Sequence, residues 1–85
     1  MLHRATSRFW KAFQSLPPEI QGLARKNFAL LKDNSDHPSL QFKKVGNLCS
    51  ARVGKAYRAL AVEEDEGFVW VWIGHHKDYD QLIKK

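Results

Sequence analysis

Apolar residues keep two different rhythms along this chain. From Phe9 to Leu31 they recur every three or four positions, the spacing of one face of an α-helix. From Leu48 onward they come in short runs rich in valine, alanine and aromatic residues, the habit of strands. Phe9, Trp10, Phe13 and Leu16 form the first helical set. Thr6 or Ser7 precedes it, and either hydroxyl can accept an otherwise unpaired backbone N–H at a helix start. Pro17 and Pro18 end that helix, because a proline disfavours the α conformation in the residue before it. Pro18 then suits the first position of a second helix, with Glu19 beside the positive end of its dipole. That helix is expected to run to about Asn34, with Ile20, Ala24, Phe28 and Leu31 as a stripe that Leu23 and Leu30 widen. A short strand over Leu2 to Ala5 precedes the pair. The two helical stretches predict an antiparallel hairpin whose aromatic stripe faces a core.

Asn34 to Ser39 reads as a loop, and Gly46-Asn47 as a turn. Around them the pattern predicts strands at Leu40 to Val45 (with Lys43 and Lys44), Leu48 to Val53, Ala56 to Glu63 and Phe68 to Ile73. The last is apolar on both faces, so it should be central and covered on both sides, with Trp70 and Trp72 in the core. Asp78 to Ile83 predicts a short C-terminal helix. The order is β-α-α-β-β-β plus that helix: a single α+β domain over residues 1–85, its hairpin on one face of a mainly antiparallel sheet.

One register decides how side chains sort. A two-residue loop at Gly54-Lys55 would put Arg52 and Arg58 on opposite faces; a three-residue loop, Gly54-Lys55-Ala56, sets them opposite each other on one face. The second choice gathers Cys49, Ala51, Val53, Ala59 and Ala61, with Tyr57, into a small apolar face that helices can approach closely. It is the register expected.

Charge adds a bias toward partners. Fourteen Lys and Arg against nine Asp and Glu give +5 over 85 residues, and four of the acids are gathered at Glu63, Glu64, Asp65 and Glu66. The rest of the surface is therefore more basic than the total, which favours nucleic acid or an acidic protein, although solubility alone can account for such a charge. The lone Cys49 permits no internal disulfide, excludes a cysteine-rich zinc module and fits a reducing cytoplasm. No apolar leader and no run of about 20 apolar residues is present, so a soluble protein without membrane contact is expected.

The segments HPSLQFKKV, SARVGKAYRAL and FVWVWIGHHKDYDQLI, in that order around the acidic turn, resemble the RelE/ParE toxins of bacterial type II toxin–antitoxin modules. The resemblance covers nearly the whole chain. It implies a small basic toxin held inactive by a cognate antitoxin. Some members cut messenger RNA in the ribosome; others poison DNA gyrase. It places the family's strand arginine at Arg58, the basic residue of the preceding strand at Arg52, and the C-terminal histidine or tyrosine at His76 and Tyr79, with His75 as a further partner. Two positions depart from the pattern: Ser50 stands where a second basic residue is found, and Ser39 near an acidic general base.

Metal-free RNA cleavage needs a base for the ribose 2′-OH, an acid for the leaving 5′ oxygen, and fixed cations for the pentacoordinate phosphate. Arg58 suits the last task because its planar fork stays charged and can grip two phosphate oxygens. Arg52 and Lys55 would hold flanking phosphates, and Lys43 and Lys44 would extend the track. His76 can move protons near neutral pH, and Tyr79 can assist or stack on a base. A plain surface pairing of Arg58 with Glu63 or Asp80 is the structural alternative. His75, His76, Asp78 and Asp80 lack zinc-like spacing, so neither metal nor cofactor is expected. The functional alternatives are gyrase inhibition and a degenerate toxin that only binds its antitoxin.

Overall fold

A computed structural model describes residues 2–34 and 36–83. The Lys84-Lys85 tail, expected to be solvated, and Ser35 of the predicted loop lie outside the described residues. The elements are β1 (Leu2–Ala5), α1 (Ser7–Gln14), α2 (Pro18–Asp33), a single 3₁₀ turn (Pro38–Leu40), β2 (Lys43–Val45), β3 (Leu48–Val53), β4 (Tyr57–Glu64), β5 (Gly67–His75) and α3 (His76–Ile83). The strands form one sheet in the order β1-β5-β4-β3-β2, with β1 parallel to β5 and every other pair antiparallel. Thr6 caps α1 through a hydroxyl that accepts the Phe9 N–H at 3.1 Å, and Pro18 opens α2 as expected.

The helical hairpin covers one face of the sheet, α1 over β5 and α2 over β3. Ala51, Ala59 and Ala61 lie beneath it, small enough for helices to come close, and Phe13, Leu31 and Leu40 complete the core. A bulge between Leu60 and Ala61 lets Leu60 pair with Trp72 while Ala61 pairs with Trp70. In an unbroken strand Trp70 and Ile73, three residues apart, would face opposite sides; the bulge turns both toward the helices, where both are buried.

Four expectations are corrected. The strand predicted from Leu40 begins only at Lys43, because Leu40 turns inward to 1% exposure within the 3₁₀ turn and Gln41 adopts a left-handed conformation (φ 44°). The C-terminal helix starts two residues early, at His76. The apolar stripes are not wholly covered: α1 and α2 splay over the sheet around a cleft of about 500 Å³, leaving Trp10 46% and Phe28 37% exposed at its rim. Trp72, expected in the core, is only half-buried and lies on the face away from the hairpin. Among the described residues no helix is long and apolar enough to cross a membrane.

Candidate functional site

Arg52 and Arg58 are directly paired across β3 and β4, and Val53 pairs with Tyr57. This is the register of a three-residue loop, with Gly54 supplying the left-handed position (φ 65°) that the turn requires. Both guanidinium groups therefore spring from the face opposite the hairpin. The backbone under Arg52 is tied to α2, where the Asn27 side-chain amide donates to the Arg52 carbonyl at 3.1 Å. The Arg52 Nε donates to the Gly54 carbonyl at 2.8 Å.

Arg58 is held on three sides. Its Nε donates to Ser50 Oγ at 2.8 Å, its Nη2 donates to the Gln41 carbonyl at 3.3 Å, and its guanidinium carbon lies 5.1 Å from the centre of the Tyr79 ring. Neither Glu63 nor Asp80 pairs with it; Glu63 pairs with Lys44 at 3.3 Å, and Asp80 lies 3.9 Å from His76 Nδ1. Tyr79 reaches this place because α3 folds back against β4 and β5. Its ring is 4% exposed, and its hydroxyl is buried without a hydrogen-bond partner. In this arrangement Tyr79 faces Arg58 and not a substrate.

The remaining candidates divide between the two faces. Lys43 is paired with Ser50 and so stands on the arginine face, exposed; Lys44 is paired with Cys49, points to the other side and is matched by Glu63. Lys55 sits exposed in the turn that joins the arginine strands. His75 is paired with Tyr57 and its ring meets that ring edge-on at 5.4 Å, on the hairpin side. His75 and His76 stack with centroids 4.6 Å apart at the end of the sheet, and the His76 backbone N–H donates to the Ala56 carbonyl at 2.7 Å. Ser39 holds its hydroxyl 2.9 Å from His37 Nδ1, in the 3₁₀ turn that leads to Gln41. Among the described residues no three His, Cys, Asp or Glu side chains converge as a metal site would need.

Among the described residues two titrating groups stand apart from their ordinary behaviour, both away from the arginines. Burial above all, with the positive charge of Lys32 nearby, lowers the pKa of His3, whose Nδ1 accepts the Trp70 indole N–H at 3.1 Å. Burial, and then Glu63, raises that of the Cys49 thiol, which is the condition of an inert cysteine.

The model of the ParE-like toxin domain matches residues 18–81, three-quarters of the chain and every strand of the arginine hairpin. The chain belongs to the ParE-like toxin domain family. Solved structures agree on the fold. The chain aligns with the RelB–RelE antitoxin–toxin complex from Methanococcus jannaschii at a TM-score of 0.73 and 17% identity, covering 93% of this chain and 96% of the other. The RelBE2 toxin–antitoxin complex from Mycobacterium tuberculosis aligns at 30% identity and a TM-score of 0.63, covering 86% and 87%. The archaeal RelE–RelB complex from Pyrococcus horikoshii aligns at 20% and 0.60, covering 86% and 91%. A search of curated proteins by sequence found no match.

In this ParE-like domain, two groups escape a reading of the sequence. The sequence places Ser50 on the arginine face, where a second basic residue is expected, yet it is fully buried and accepts a hydrogen bond from Arg58. The register contains the signal, since Ser50 pairs with Leu60, two residues along the same face from Arg58. The Gln41 carbonyl had no signal at all, because nothing in the letters predicts a left-handed glutamine.

Proposed function

We propose that this chain is the toxin of a toxin–antitoxin pair and that it cuts messenger RNA on the ribosome without a metal. The observation that carries the reading is the arginine pair. Like charges set directly opposite on a sheet destabilise it, yet the groups that hold Arg52 and Arg58 are all neutral: Gly54, Ser50, Gln41 and Tyr79. Among the described residues neither arginine joins an ion pair. Lys43 adds a third cation to the same face. Such a surface gains most when an anion arrives, and a polyphosphate backbone supplies anions in series.

Within this reading Arg58 binds the scissile phosphate and stabilises its pentacoordinate form, as a preorganised cation can. Arg52, Lys43 and Lys55 hold phosphates on either side. His76, exposed at the end of the sheet, exchanges protons with the 2′-OH or the leaving 5′ oxygen. Tyr79 serves as a platform under Arg58. An antitoxin partner is supported by the solved relatives, which are complexes with RelB.

Primer extension on messages translated in the presence of the chain tests this reading. Breaks within A-site codons, absent with Arg58→Ala, are the expected result. Intact transcripts with gyrase-trapped, broken DNA would overturn it in favour of gyrase poisoning. Intact RNA and DNA, with antitoxin binding retained, would leave a toxin without activity.

A further inference from the structure

A guanidinium offers two forks to an oxyanion. One, along its side, is made by Nε–H with one N–H of Nη2; the other, at its end, is made by Nη1 with the second N–H of Nη2. In Arg58 the Nε donates to Ser50 Oγ at 2.8 Å and Nη2 donates to the Gln41 carbonyl at 3.3 Å. Its guanidinium carbon lies over the Tyr79 ring, 5.1 Å from its centre. Among the described residues Nη1 has no hydrogen-bond partner.

Each anchor has a structural origin that is costly to explain by folding alone. Ser50 is a fully buried hydroxyl at 0% exposure, in a strand where an apolar residue would pack without a polar atom to satisfy. Gln41 holds a left-handed backbone at φ 44°, which a side chain other than glycine seldom adopts, and this conformation presents its carbonyl to Arg58. The buried Tyr79 hydroxyl has no partner, so the ring stays there through its contacts with carbon and with Arg58.

We infer that Ser50, through its hydroxyl, is a positioning residue that together with the Gln41 carbonyl locks Arg58 so that Nη1 is turned to receive the RNA phosphate. This inference rests on the nuclease function proposed above. It gives the serine a task of its own: a lysine or arginine at position 50 would place another cation against Arg58, whereas the hydroxyl accepts from it. The side chain then waits in its working rotamer, and ordering it at the moment of reaction costs little.

Two measurements test the lock. In the wild-type chain the Arg58 Nε–H should exchange with solvent at least about tenfold more slowly than that of the exposed Arg25, followed by ¹⁵N-edited NMR near pH 6. Equal exchange would overturn the inference with no variant needed. In the cleavage assay Ser50→Ala should lower turnover by about 10- to 100-fold with KM nearly unchanged, and Ser50→Thr, which keeps the hydroxyl, should restore it. Wild-type turnover in Ser50→Ala, with Arg58→Ala inactive, would overturn the lock and leave the nuclease function standing. Full cleavage by Arg58→Ala would overturn the nuclease role of Arg58, and the lock with it. Should Ser50→Ala fail to fold, the exchange measurement on the wild-type chain decides alone.

Discussion

Strands β3 and β4 present Ala51, Ala59 and Ala61 to the helical hairpin, and on their other side the same two strands present Ser50, Arg52 and Arg58. The first face is closed by contact: its residues are small, and nearly all of what they touch is apolar. The second is held by directed bonds between neutral acceptors and cations, and its charge is left uncompensated. The difference teaches that alternation along a single pair of strands can divide stability from activity. A change on one side should be felt mainly in folding, and a change on the other mainly in chemistry.

The largest expected effect tests the closed face. Leu40→Ala removes a side chain 1% exposed, and should cost about 2–5 kcal/mol in urea denaturation. The activity of each folded molecule should stay the same. A loss of activity without a loss of stability would break the division. On the arginine face Arg58→Ala should lower cleavage turnover by about 10²–10³-fold while costing about 1–3 kcal/mol of stability, since the buried Ser50 hydroxyl loses its partner. Thermal melting beside the cleavage assay checks both halves.

A smaller effect should come from Trp70→Phe, which keeps an aromatic ring in the core and removes the donor to His3 Nδ1; about 1 kcal/mol of stability should be lost. The same pair predicts a dependence on pH. Folding lowers the pKa of His3 below its ordinary value of 6.5, so the unfolded chain binds the proton more readily. The stability gained from neutral His3 is complete above pH 6.5 and should fall as pH drops from there through the folded-state value. Melting curves of the wild-type chain and His3→Gln over that range should differ in slope.

The two neighbouring lysines give the finest comparison. Lys43→Ala should weaken RNA binding and reduce its salt dependence by about one counterion. Lys44→Ala, which loses only an exposed pair with Glu63, should leave RNA binding unchanged and cost about 0–1 kcal/mol of stability. Equal effects on binding would mean that the face a lysine occupies does not matter.

Most of the fold was legible in the letters because periodicity reports burial. The helical stripe, the proline boundary at Pro17-Pro18 and the choice of loop around Lys55 all follow from which side chains must leave water, and all appear in the structure. The same logic misjudged Trp72. Its strand is apolar throughout, and only the bulge at Leu60 and Ala61, a feature of the backbone, decides which side its aromatic residues take. The arginine pair could be anticipated from register. What holds Arg58 could not, because it depends on a carbonyl aimed by Gln41 and on a tyrosine delivered by the fold-back of α3.

The parallel pairing of β1 with β5 also sets an order in time. Leu2 lies beside Gly67, where a side chain would overlap the Leu2 carbonyl, so the earliest strand made is completed by the last. A nascent chain carrying everything through β4 still lacks the neighbour that β1 requires, and joining segments so remote along the sequence is slow. The domain therefore cannot close until β5 has been made, and its amides at His3 and Arg4 should be the last to gain protection in pulse-labelled refolding.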